Sequence, residues 1–124
     1  MSQQPSILIV EDEVLIRLFL DEVFQDAGWL VTLASNGEEA VELLNGFDAV
    51  ITDVEMPGKV DGLALSWQVY KRNPRVPVVI MSGRVLPTKA SLPPTARFIA
   101  KPAPVDVLLE TISALTGVEL PEDH

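Results

Sequence analysis

The sequence predicts an α/β fold: a doubly wound parallel sheet of five strands with helices on both faces. Three observations predict it. Short apolar runs that read as strands alternate with amphipathic helical patterns. The first, third and fourth strand runs are predominantly apolar, as expected of strands buried on both faces. Several of them end in polar groups, and open parallel sheets gather ligands at the carboxyl ends of their strands.

Each element follows from local signals. Ile7 to Val10 is an apolar run bounded by Pro5-Ser6 and by the acids Glu11 to Glu13, and it is the first strand. Ile16, Phe19, Leu20, Val23, Phe24 and Ala27 then fall on one helical face, and Gly28 stops that helix. Trp29 to Ala34 is the second strand. Ser35-Asn36-Gly37 is a turn, and Glu38 to Leu44 is a short helix ended by Asn45-Gly46. Ala49 to Thr52 is the third strand, which runs straight into a carboxylate, Asp53. Leu63 to Lys71 is a helix that stops before Asn73-Pro74. Val76 to Met81 is the fourth strand, and Arg97 to Ala100 is a shorter fifth. In the last helix, Val105 to Thr116, the residues Val105, Leu108, Leu109, Ile112 and Leu115 share one face.

Composition narrows the function. A chain of 124 residues fits one domain, and 48% hydrophobic residues is a globular composition. The core is expected from about residue 6 to 116, with a short acidic tail at 117–124 and no second domain. There is no cysteine, and the one histidine, His124, ends the chain. Thiolate metal sites and Ser-His-Asp or Cys-His catalysis therefore lack their parts. A net charge of −9 argues against nucleic acid or an anionic membrane as a direct partner. No apolar stretch is long enough for a signal sequence or a membrane span, so a cytoplasmic protein is expected.

The strand ends carry the chemistry. The first strand ends in Glu11-Asp12, the third in Asp53, the fourth in Ser82 and the fifth in Lys101. Carboxylates crowded at one edge repel, and burying them unpaired is costly. The usual compensation is a cation, and oxygen ligands without His or Cys suit Mg²⁺. A divalent ion, an ammonium and a hydroxyl around one carboxylate form a phosphoryl-binding arrangement, with Asp53 as nucleophile. Simpler readings stand beside this one. Glu11 and Asp12 would also serve as a helix-start charge pair, Ser82 as a turn residue, and Lys101 as a structural partner of Asp53.

In order along the chain, "ILIVEDE", "VITDVEMPG…DG", "VVIMSG" and "FIAKP" resemble a response-regulator receiver domain of two-component signalling, of the stand-alone single-domain type. The resemblance implies a flavodoxin-like sheet of strand order 2-1-3-4-5. It implies that Asp53 is the phosphoacceptor, with Mg²⁺ held by Asp12 and Asp53, by Glu11 through water, and by the backbone carbonyl of Glu55. Ser82 and Lys101 would contact phosphoryl oxygens. Ser82 and Phe98 would form the switch, although Phe98 also reads as an ordinary core residue. The implied partners are a histidine kinase or histidine phosphotransfer protein, and an unknown downstream protein. Val14, Leu15 and Leu18 lie off the first helix's core stripe. With Pro102 they form an apolar patch beside the acid pair that suits docking of a helical phosphodonor, although they also read as ordinary scattered surface apolar residues.

Two features depart from the family pattern. The loop from Asp53 to Gly62 has one residue more than the commonest spacing. Between Ser82 and Lys101 the family's fourth helix is expected to be short or missing, because Pro87, Pro93 and Pro94 leave no window for it. At best one turn is expected near Thr88 to Leu92, within a Pro-rich loop from 83 to 97. Two rivals remain open: a phosphorylation-independent pseudo-receiver, and a Mg²⁺-dependent phosphatase of the haloacid dehalogenase type with an aspartate nucleophile.

Overall fold

The computed structural model describes residues 4–83 and 91–121. Five strands, β1 (Ser6–Val10), β2 (Leu30–Ala34), β3 (Ala49–Asp53), β4 (Val78–Ser82) and β5 (Ala96–Ala100), form one parallel sheet of order β2-β1-β3-β4-β5. Four helices connect or follow them among the described residues: α1 (Val14–Asp26), α2 (Gly37–Glu42), α3 (Gly62–Arg72) and α4 (Val105–Thr116). The predicted fold class and strand order are those observed.

Side chains alternate across a strand, so a strand buried on both faces feeds two cores. Ile7 and Ile9 of β1, with Ile51 of β3 and Val79 and Met81 of β4, face α1 and α4 and pack on Leu20, Phe24, Leu108 and Ile112. Leu8 and Val10, with Val50, Val78 and Ile80, face α2 and α3 and pack on Ala40, Leu65 and Val69. This two-sided burial is why β1, β3 and β4 carry no polar alternation, while the edge strands β2 and β5 are partly exposed.

Helix starts follow the local chemistry. Asn36 caps α2 by accepting the Glu39 N–H at 2.8 Å, and Asp61 caps α3 by accepting the Ala64 N–H at 2.8 Å. At the start of α1 the side chain of Glu13 makes no capping bond; instead the Glu11 carboxylate accepts the Glu13 N–H at 3.2 Å. Beyond α4, Gly117 takes a left-handed φ of 77°. There the chain folds back, the Ser113 hydroxyl donates to the Val118 carbonyl, and Val118 and Leu120 pack against the core.

Three expectations shift. β4 begins at Val78 instead of Val76 and extends through Ser82, and α2 ends at Glu42, short of Leu44. Phe19 is 54% exposed and not part of the core stripe of α1. Residues 84–90, where most of the predicted short turn falls, lie outside the described residues. Among the described residues between β4 and β5 there is no α-helix. Ser91 is held to α3 there, where the Trp67 indole N–H donates to its carbonyl at 2.9 Å.

Candidate functional site: an acid pocket at the carboxyl edge of the sheet

The strand order β2-β1-β3-β4-β5 has its switch point between β1 and β3, and open parallel sheets hold ligands outside the carboxyl ends of the strands there. Glu11 and Asp12 leave β1 there, and Asp53 ends β3. One carboxylate oxygen from each of Glu11, Asp12 and Asp53 lies within 4.8 Å of the others. Lys101, just past β5, reaches between two of them. Its Nζ lies 2.8 Å from Asp53 Oδ2 and 3.2 Å from Glu11 Oε1. The chain separates these partners by 48 and 90 residues, so only the sheet brings them together.

Glu11 is wholly buried, Asp53 is 7% exposed and Asp12 is exposed. Burial pushes the Glu11 carboxyl above its ordinary range, and the charge of Asp53 adds to this. The Glu13 N–H and the Lys101 ammonium pull the other way without overcoming it. Burial also pulls the Lys101 ammonium down. The hydrogen bond to Asp53 and the charges of Glu11 and Asp53 outweigh that and hold it above its ordinary value. Lys101 is therefore a cation at neutral pH.

The remaining predicted residues take distinct places. Asp53 Oδ1 accepts the Glu55 N–H at 3.2 Å, so Glu55 sits at the rim of the pocket. Ser82 is buried at the end of β4, and its carbonyl accepts the Lys101 N–H at 2.8 Å. The Lys101–Pro102 peptide is cis. Phe98 lies opposite Ile80 in the β4–β5 register, half-buried against the α2–α3 core. On α1, Val14, Leu15 and Leu18 are 54%, 83% and 52% exposed, and Phe19 joins them. Pro102 and Phe19 line a cavity of about 330 Å³ with Ile16, Leu20, Ala103 and Leu108.

Sequence reasoning missed two residues here. The Arg17 guanidinium donates to the Glu11 carbonyl at 2.8 Å and ties α1 to the end of β1. Gly62 lies so close to the end of β3 that a Cβ there would collide with the Asp53 carbonyl oxygen. The "DG" of the loop motif was the available signal for Gly62; nothing in the sequence marked Arg17.

The site fits a hard divalent cation on its own chemistry. Its donors are all oxygen, they converge, and a buried acid whose ionised form is disfavoured would be relieved by a positive charge. Fold and pocket together define a doubly wound α/β domain that presents an acid–lysine cluster at its switch point. A family model for the response regulator receiver domain matches residues 7–113, and the chain belongs to that family. Among curated proteins, the Regulator of RpoS of Escherichia coli K12 is 42% identical over 79 residues, covering 62% of this chain and 23% of that protein. The DNA-binding transcriptional regulator NtrC of the same strain is 37% identical over 83 residues, covering 65% of this chain and 18% of its own. The chain thus spans less than a quarter of either relative. Among solved structures, a response regulator receiver protein from Sinorhizobium medicae WSM419 superposes with a TM-score of 0.87 at 29% identity, covering 94% of this chain and 97% of that one. The response regulator TrrA of Thermotoga maritima, solved in complex with Mg²⁺-BeF, gives 0.79 at 30% identity, with 90% and 98% covered. No helix among the described residues is long and apolar enough to cross a membrane.

Proposed function

We propose that this receiver domain accepts a phosphoryl group on Asp53 from a histidine kinase or histidine phosphotransfer protein, with Mg²⁺, and signals through protein contacts. The single observation that carries the reading is the cluster itself. A buried strand-end carboxylate is bonded to an ammonium at 2.8 Å, with two further carboxylates converging on it. The Mg²⁺-BeF complex of TrrA supports the same reading.

Asp12 and Asp53 would hold the ion directly, with Glu11 through water and the Glu55 carbonyl. When bound, Mg²⁺ supplies positive charge against the phosphoryl oxygens. The chain's own groups do the rest. An Asp53 carboxylate oxygen attacks phosphorus, and the P–N bond to the donor imidazole breaks. The electron pair of that bond stays with the ring nitrogen. The Lys101 ammonium, already aimed at Asp53 Oδ2, faces the charge that develops on the phosphoryl oxygens. The Ser82 hydroxyl then bonds a phosphoryl oxygen, and Ser82 with Phe98 forms the switch that changes the surface. Hydrolysis of the aspartyl-phosphate resets the domain, so it is a phosphoacceptor and not an enzyme on a separate substrate. The exposed Val14, Leu15 and Leu18, with Pro102, receive the helical phosphodonor.

Acetyl phosphate with Mg²⁺, followed by intact mass measurement, tests this. One added phosphoryl group, absent in Asp53→Asn, is the expected result. No gain from acetyl phosphate or any kinase would leave the pseudo-receiver reading, and steady turnover of a phosphomonoester would favour the phosphatase.

A further inference from the structure

We infer that Glu38 is a positioning residue for the acid pocket: from the first turn of α2 it clamps the loop between β3 and α3. The inference rests on the proposed role of that pocket and adds a residue outside it.

The loop, residues 54–61, leaves β3 at Asp53 and carries Glu55. Its two ends are fixed. The Val54 N–H donates to the Met81 carbonyl at 2.8 Å, and Asp61 caps α3. Between them Pro57, Gly58 and Lys59 are exposed, and a solvated loop tip is free to move unless it is tied down. Here it is tied to α2. The Val60 N–H donates to Glu38 Oε1 at 2.9 Å, across 22 residues of sequence. Gly58 lies against the same carboxylate. The Gly37 Cα faces the Val60 carbonyl so closely that a Cβ there would collide with it and lie 2.7 Å from Val60 Cβ. The loop tip is therefore seated on the first turn of α2 by one charged acceptor and two glycine contacts.

The connection to the site runs through Glu55. Its N–H donates to Asp53 Oδ1, and its carbonyl is the proposed backbone ligand. A tip released at Val60 lets Glu55 sample other positions, and the ordering cost then falls on ion binding. A hydrogen bond to an exposed carboxylate contributes modestly, so release should weaken Mg²⁺ binding about threefold to tenfold.

Glu38→Ala and Glu38→Gln separate the clamp from charge. Both remove the negative charge and its effect on the start of α2, but the Gln side-chain carbonyl still accepts the Val60 N–H. Two measurements apply: amide exchange at Val60 in metal-free protein, and calorimetric titration with MgCl₂. The expected result is faster Val60 exchange and about threefold to tenfold weaker Mg²⁺ binding in Glu38→Ala, with Glu38→Gln restoring both. At saturating Mg²⁺ the phosphorylation rate by acetyl phosphate should be unchanged in Glu38→Ala, which marks a positioning defect. Equal weakening in both variants would assign the effect to charge and overturn the clamp, as would Val60 exchange that neither variant alters. If the unaltered protein bound no Mg²⁺, the proposed function would fall, while Val60 exchange would still decide whether the clamp exists.

Discussion

Gly62→Ala asks whether the close seating of α3 on the end of β3 shapes the acid pocket. An added Cβ would collide with the Asp53 carbonyl oxygen and lie 2.8 Å from both the Asp53 carbonyl carbon and the Val54 Cα. Carbon contacts are comfortable at roughly 3.5–4.0 Å. All three obstructing atoms are backbone. They are held by the β-ladder, by the Val54 N–H bond to Met81, and by the Gly62 N–H bond to Val54 at 3.0 Å. No side chain can rotate away, so relief requires α3 to back off, and that unseats the buried Leu65 and Val69. Overpacking costs about 1–3 kcal/mol, and an immovable obstacle puts this case near about 3. For a domain of this size that lowers the melting temperature by about 10 °C. Gly83→Ala is the control, because its added Cβ meets nothing nearer than Lys101 Cβ at 3.8 Å. Thermal unfolding of the metal-free proteins, followed by circular dichroism, measures the difference. A Gly62→Ala protein that melted within about 2 °C of the unaltered one would refute the reasoning.

Two further predictions follow from the pocket and its flank. The folded state holds Glu11 above its ordinary value near 4.5, so Glu11 favours folding only while protonated. That contribution is full below about pH 4.5 and is lost as pH rises through the folded-state value, leaving a net cost at pH 7. Glu11→Gln should therefore melt higher than the unaltered metal-free protein at pH 7, with the advantage shrinking toward pH 4.5; a lower melting point at pH 7 would contradict the cause assigned. Leu18→Asp places a charge in the exposed patch of α1. It should slow phosphotransfer from a cognate kinase tenfold or more while leaving phosphorylation by acetyl phosphate unchanged; equal kinase transfer would remove the docking role.

Most of the framework was legible along the chain because its cause is local. An apolar run that must feed two cores cannot alternate, and that constraint marked the inner strands β1, β3 and β4; the edge strands β2 and β5 are partly exposed and carry Thr32 and Arg97. The acids and the lysine were legible because each stands directly after a predicted strand. Where the reading slipped, the deciding information was not local. Phe19 satisfies the helical spacing of α1, yet the surface that α1 buries is only wide enough for Leu20 and Phe24, with Ile16, Val23 and Ala27 half-covered. Phe19 falls outside that width and joins the exposed Val14, Leu15 and Leu18. α2 likewise stops at Glu42, before the Asn45-Gly46 stop signal, with the Leu43 N–H turned back to the Ala40 carbonyl.

The sequence by itself determined the class of fold, the edge at which the polar groups gather and the oxygen-only chemistry of that edge, because these depend on residue type and period alone. The tertiary structure decided which groups touch. It brought Lys101 onto Asp53 and Glu11 across 48 and 90 residues, drew Arg17 onto the Glu11 carbonyl, pressed Gly62 against Asp53 and set Glu38 under the Val60 N–H. The last three join a side chain or a Cα to a backbone group on another element. Backbone groups are the same at every position, so apart from the Asp61-Gly62 pair of the loop motif no pattern of residue types announces these contacts.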